Sequence, residues 1–233
     1  MNASRSARER VRAELTREIT ETARRKLATH GAAALSLRAV ARELGMVSSA
    51  VYRYFPSRDD LLTALIIDGY NAVGEAVEQA EAACPRQDYP ARWLVSCRAV
   101  RDWALARPHE YALVYGSPVP GYQAPEQTIG PASRVAAVLG AIISEAHARG
   151  VLAPPGICPP PPGPFAPDAA RLRETVLTGV PDDVAALALA SWASLFGLVS
   201  FELFGQFENV VTDRAAFFDH SAACLGRLTG LRG

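Results

Sequence analysis

Apolar residues recur every three or four positions along nearly all of this 233-residue chain, and no stretch sustains an apolar–polar alternation. A period near 3.6 lines one face of a helix, whereas a half-buried strand needs a period of two. No Asn-Gly or Asp-Gly hairpin turn joins β-rich runs. The chain is therefore expected to be all-α, and the remaining question is how glycines and prolines divide it.

Near the N-terminus four helices are expected. The first spans about 8–30, with Leu15, Ile19, Ala23 and Leu27 at i, i+4 spacing and Gly31 as its stop. Ser36 is placed to cap a second helix whose buried stripe is Leu37, Val40, Ala41 and Leu44, ending at Gly45. A third, "SSAVYRYF" (48–55), ends at Pro56. The fourth opens with Ser57 and Asp60, three residues apart as in a capping box, and runs to about 83. Further helices are expected at about 91–106, 129–149, 168–178, 182–205 and 213–230. The stretch 106–125 reads as loop towards its Pro- and Gly-rich tail. Eight prolines between 154 and 167 exclude helix and central strand there, leaving a surface loop.

Charge divides the chain in two. Residues 1–58 carry 12 Lys+Arg against 5 Asp+Glu, a net +7, and residues 59–233 carry 12 against 19, a net −7. A basic module for a polyanion (1–58) joined to a helical body with another task (59–233) is the expected organisation. The opening residues lack the apolar region of a secretory signal, and the four cysteines and four histidines are scattered without ligand spacing. A cytoplasmic protein with free thiols, no metal, no cofactor and no membrane span is expected. The most apolar run, Val184–Gly205, reads as a buried helix. No Ser-His-Asp elbow, Gly-rich phosphate loop or H-E-x-x-H occurs, which argues against an enzyme.

The stretch "SLRAVARELGMVSSAVYRYF" has the form of a helix-turn-helix, whose second helix enters the DNA major groove by its N-terminal end. Its asymmetry suits that task. Ser48, Ser49 and Ala50 are small and allow close approach to base edges, where the two hydroxyls can hydrogen-bond. Val51 and Phe55, at i and i+4, face the core. Tyr52 and Tyr54 carry hydroxyls on rigid rings suited to reach phosphates, and Arg53 and Arg58 add charge for the same backbone. Ser36 and Arg38, at the start of the preceding helix, complete the expected DNA-contacting set. A basic module would equally serve an acidic protein or a membrane surface, and loss of binding on Tyr52→Phe with charge intact would separate those readings.

Residues 35–66, "LSLRAVARELGMVSSAVYRYFPSRDDLLTALI", resemble the DNA-binding module of TetR-family transcriptional regulators. The likeness is carried by Arg38–Ala41, Gly45–Met46, Val51–Phe55 and Arg58–Leu61. It implies DNA contacts from Arg38, Ser48, Ser49, Tyr52, Tyr54 and Arg58. Val47 stands where the family often has a Ser or Thr cap, which shifts the expected cap to Ser48, and Arg58 replaces the usual Lys. "WASLFGLVSFELFG" resembles a C-terminal regulatory domain named for a Trp-His-Gly signature, represented here by Trp192, Phe196 and Gly197 without the histidine. The resemblance implies a dimer, and the expected role is that of a repressor working at the nucleoid on a palindromic operator, with a DNA-binding protein that activates or organises rather than represses as the open alternative. A ligand would release it by moving the fourth helix.

The body offers two physical clues of its own. The helix at 182–205 is apolar almost all round, so it needs cover from a second surface. With the helix at 213–230, two such helices from each of two chains would close a four-helix interface. Leu195, Leu198, Phe201, Phe217, Leu225 and Leu228 are its expected residues. Trp93, Trp103, Tyr111, Tyr115, Trp192 and Phe196 are the aromatics expected to line an apolar small-molecule cavity, with His109 and Glu202 as its polar groups.

Overall fold

The computed structural model describes residues 2–154, 156 and 158–232, with side chains from residue 8 onward. Ten α-helices and no strand occur among them: α1 (Asn2–His30), α2 (Leu37–Glu43), α3 (Ser48–Tyr52), α4 (Arg58–Ala82), α5 (Tyr89–Ala106), α6 (Pro108–Tyr115), α7 (Ile129–Ala148), α8 (Ala166–Thr175), α9 (Asp182–Leu203) and α10 (Arg214–Leu228). The chain divides into two compact units. One comprises Met1–Tyr70 and Arg107–Ile129, the other Asn71–Ala106 and Gly130–Gly233, so α4 begins in the first and ends in the second.

In the first unit, Ile19 and Ala23 of α1 meet Leu37 and Val40 of α2, Val51 of α3, Phe55, and Leu61, Leu62 and Leu65 of α4. Ile19, Val40, Val51, Leu61 and Leu62 are wholly buried. Gly31, at φ +72°, closes α1, its N–H donating to the Leu27 carbonyl. The capping box at α4 forms as expected: the Asp60 N–H donates to Ser57 Oγ at 3.1 Å, and that hydroxyl donates to the Asp60 carboxylate at 2.7 Å.

The second unit packs α10 on α5 and α9, and α8 on α9. Paired arginines pin these helices. Arg101 of α5 grips Glu202 of α9 in bidentate fashion at 2.6 and 2.7 Å, and Arg98 grips Asp219 of α10 at 2.7 Å twice. Arg92, with no exposed surface, donates to Glu81 at 2.6 Å, to Glu145 of α7 at 2.7 Å and to the Arg86 carbonyl at 2.9 Å. Arg134 of α7 holds Glu78 of α4 through two bonds and reaches both the side chain and the carbonyl of Asn71.

Three expectations change. The head of 106–125, for which no element was expected, is helix, while its Pro- and Gly-rich tail after Tyr115 is loop as expected: α6 starts at Pro108, whose fixed φ and missing N–H suit a first helical turn. Pro167 likewise sits inside the first turn of α8, which begins two residues earlier than expected. Residues 155 and 157 of the Pro-rich tract lie outside the described residues. Finally, two helical stretches, Glu126–Ala148 and Asp182–Leu203, are long and apolar enough to cross a bilayer by length and composition, with mean hydropathies of 1.3 and 1.9. The second buries Ser191, which donates to the Leu225 carbonyl, and Glu202 on Arg101. Core helices of globular proteins pass the same length and composition test.

Candidate nucleic-acid interface and apolar cavity

The turn between α2 and α3 is closed by backbone bonds, with the Met46 N–H donating to the Ala41 carbonyl at 2.9 Å. Gly45 takes φ +66° there, a conformation that a side chain would strain. Val51 and Phe55 anchor α3 in the core, which turns its remaining residues outward. Ser49 and Arg53 are exposed, Tyr52 keeps 41% of its surface, and Ser48 is half-buried. Val47 itself is the N-cap, so Ser48 lies inside the helix and its hydroxyl makes no capping bond. This removes the competition for Ser48 that the absent Ser/Thr cap implied.

Arg38, on the first turn of α2, is exposed, and neither its guanidinium nor that of Arg53 has a hydrogen bond or ion pair among the described residues. Ser36 is the N-cap of α2 by position, again without a side-chain bond. Glu43 is the single carboxylate between residues 22 and 58. Lys26 hydrogen-bonds it at 2.5 Å, which holds its carboxyl below the usual carboxylate range, and Arg25 stands 3.5 Å away. The surface around α2 and α3 is thereby kept cationic.

Two expected phosphate contacts look different in place. Tyr54 packs half-buried against the core, with the Arg12 guanidinium 5.3 Å from its ring centroid. Arg12 is thus a cation of this surface that the motif did not single out. Arg58 donates to the carbonyls of Leu35 and Ala32 at 3.2 and 3.0 Å, and to that of Ala33 at 3.4 Å. Its guanidinium ties the α1–α2 connection to α4 through Nε and Nη2, so Arg58 has a structural role, and its side chain keeps 31% of its surface.

The second unit holds a cavity of about 210 Å3. Trp93 of α5, Leu139 and Ile143 of α7, Leu172 of α8, Val176 just after it, and Trp192 of α9 form its walls, and its remaining lining is apolar too. Gly140 makes the narrow wall possible: a Cβ there would stand 2.0 Å from the Val176 carbonyl oxygen. Of the six aromatics expected to line a cavity, Trp93 and Trp192 do. Trp103 is buried elsewhere in the unit, and Phe196 packs on Trp192 at 5.3 Å. Tyr111 and Tyr115 belong to the first unit, their rings tilted at 41° with centroids 5.2 Å apart, and Tyr70 is edge-on to Tyr115 at 5.6 Å. Burial pushes the Tyr115 phenol well above its ordinary pKa. Glu202 is held by Arg101, and His109 is exposed in the first unit, so neither serves the cavity.

Among the expected dimer residues, Phe201 and Phe217 are exposed, at 53% and 38%, and Leu198, Leu225 and Leu228 are half-buried. Leu195 has no exposed surface and belongs to the unit's own core. Phe204, Trp192 and Leu189 add exposed apolar area to α9, at 50%, 37% and 40%.

A cationic helix-turn-helix followed by a helical body defines a class: transcriptional regulators that read DNA with one part and carry another to control it. The comparisons sharpen this. Residues 19–65 match the family model described as bacterial regulatory proteins, tetR family. Residues 93–225, more than half of the chain, match the model described as tetracyclin repressor-like, C-terminal domain. HTH-type transcriptional regulators of Mycobacterium tuberculosis and Mycobacterium bovis are each 41% identical over 218 residues, covering 92% of this chain and 90% of theirs. The crystal structure of SCO4313, described as a regulatory protein, superposes with a TM-score of 0.76 at 34% identity, covering 93% of this chain and 97% of that one. The chain belongs to the TetR family of transcriptional regulators.

Proposed function

We propose that this regulator is a repressor that binds a palindromic operator as a homodimer and is released by a small, mainly apolar ligand. The observation that carries the reading is the exposed α2–α3 surface. Arg38, Ser49, Tyr52 and Arg53 point outward from a packed core and lack partners that would hold them back. Arg38 and Ser49 suit base edges, and Tyr52 and Arg53 suit flanking phosphates. The exposed apolar residues of α9 and α10 supply a self-complementary surface, and pairing there sets two recognition helices to read two half-sites. Function divides as charge does, with DNA binding in residues 1–58 and control in 59–233. The protein works in the cytoplasm, on chromosomal DNA, without catalysis.

The test is selection of the purified protein on a randomised duplex library at two salt concentrations. Enrichment of a palindrome, with affinity falling steeply as salt rises, is the expected result. Enrichment of a single half-site would remove the dimer from this reading, and no enrichment would remove the operator.

A further inference from the structure

We propose that the cavity of the second unit takes a neutral aromatic hydrocarbon of one or two rings, with Trp93 on its α5 wall and Trp192 on its α9 wall. This deepens the regulator reading above, on which it rests, by naming the ligand's chemical class.

Three observations select the class. The first is polarity. The walls are apolar throughout, and the indole N–H of Trp93 is already donated to the Ala222 carbonyl at 2.9 Å. Trp93 therefore offers an occupant its ring and no hydrogen bond. Charged groups on the surrounding helices are committed elsewhere: Glu202 and Arg101 satisfy each other, and Glu145 on α7 is held by Arg92; Ser144 Oγ, buried on α7 without a hydrogen bond, is not among the lining side chains. A carboxylate or ammonium group seated deep against these walls would lose its water and gain nothing in return, whereas the mouth beside the exposed Leu189 and Trp192 is open to solvent.

The second is size. A dry cavity of about 150 Å3 lined by aliphatic and aromatic side chains accepts benzene. At about 210 Å3, this one has room for a second ring. The third is wall chemistry. Two indoles present π faces and edges to an occupant, and aromatic pairs gain from offset or edge contacts beyond the area they bury.

Naphthalene is the probe, titrated calorimetrically into the full-length protein without DNA, beside 1-naphthoate and decalin. The expected result is saturable binding of one naphthalene per chain. Naphthoate, with the same rings and one charge, should bind at least about tenfold more weakly. Decalin, with two rings and no π system, should also bind more weakly. Ala136→Phe, which plugs the cavity from α7, should abolish binding. Because a plug can disturb folding, Trp192→Ala, at a partly exposed position, serves as the second variant and should weaken naphthalene at least about threefold, with folding of both checked by circular dichroism.

Naphthoate binding as tightly as naphthalene, decalin binding more tightly, or full binding by a folded Ala136→Phe protein would each overturn the assignment. So would absence of naphthalene binding by the folded wild-type chain. Loss of this ligand class with palindrome enrichment intact would sink the ligand and spare the regulator. Naphthalene binding with no enriched DNA would do the reverse.

Discussion

At the scale of single residues, two arginines of the helix-turn-helix module have different jobs despite similar positions in the motif. Arg38 is exposed and its guanidinium has no partner, so its truncation removes nothing that holds the fold. Arg38→Ala should lower operator affinity while thermal unfolding stays unchanged. If the contact is to phosphate, the slope of log affinity against log salt falls by about one; if it is to a base, specificity relaxes at one position and affinity drops by about 1–3 kcal/mol. Arg58 predicts the opposite pattern. Arg58→Lys keeps the charge but cannot reach the Leu35 and Ala32 carbonyls together. It should cost about 1–3 kcal/mol of stability in denaturant titrations and leave the salt slope of DNA binding as it was.

At the scale of elements, most helix boundaries were legible because capping and periodicity are local. Gly31, Ser57 with Asp60, and Gly150 mark ends that any reader of a few residues can find. α6 was not legible: eight residues give barely two turns of pattern, and flanking prolines read as loop until one of them turns out to occupy the first helical turn. The exposure of Arg38, Ser49, Tyr52 and Arg53 was legible for the same local reason. Arg58 was not, since its carbonyl partners lie 23 to 26 residues upstream. Nor were the ion pairs that fasten α5, α7, α9 and α10, whose partners are 53 to 121 positions apart. Those pairs predict an acid sensitivity. The hydrogen bond from Arg92 holds the Glu145 carboxyl below its usual range, and those from Arg134 and Arg98 do the same for Glu78 and Asp219. A carboxylate depressed in the folded state contributes stability at neutral pH and loses it as pH falls through the folded value. Stability should hold from pH 7 to about 5 and decline below about pH 4. Arg92→Met, which removes the buried member of this cluster and leaves Glu81 and Glu145 to Arg86 alone, should lower stability at pH 7 by about 1–3 kcal/mol and make the acid decline shallower, both read from urea unfolding across pH.

At the scale of the whole molecule, the exposed rings of α9 and α10 bear on how many copies act together. Phe201 is half exposed on a helix whose other face is core. Phe201→Glu should convert a dimer to a monomer in light scattering, with the helical content unchanged. Its affinity for a full palindrome should fall to that for one half-site, at least about a hundredfold weaker, because the second half-site no longer binds as part of the same particle. The same measurement on wild type at rising dilution should show the two losses, of assembly and of tight DNA binding, occurring together.

The seat of Trp93 has one more consequence. Gly226 of α10 is a notch beneath that ring: a Cβ there would stand 2.9 Å from Cδ1, and the empty space beside the ring is the cavity. Gly226→Ala would therefore nudge the indole into that space without altering any other wall. The displaced indole would act as a tethered guest, leaving a protein that behaves as if permanently occupied. Its affinity for DNA in the absence of any added compound would report which of the two states the occupied form resembles.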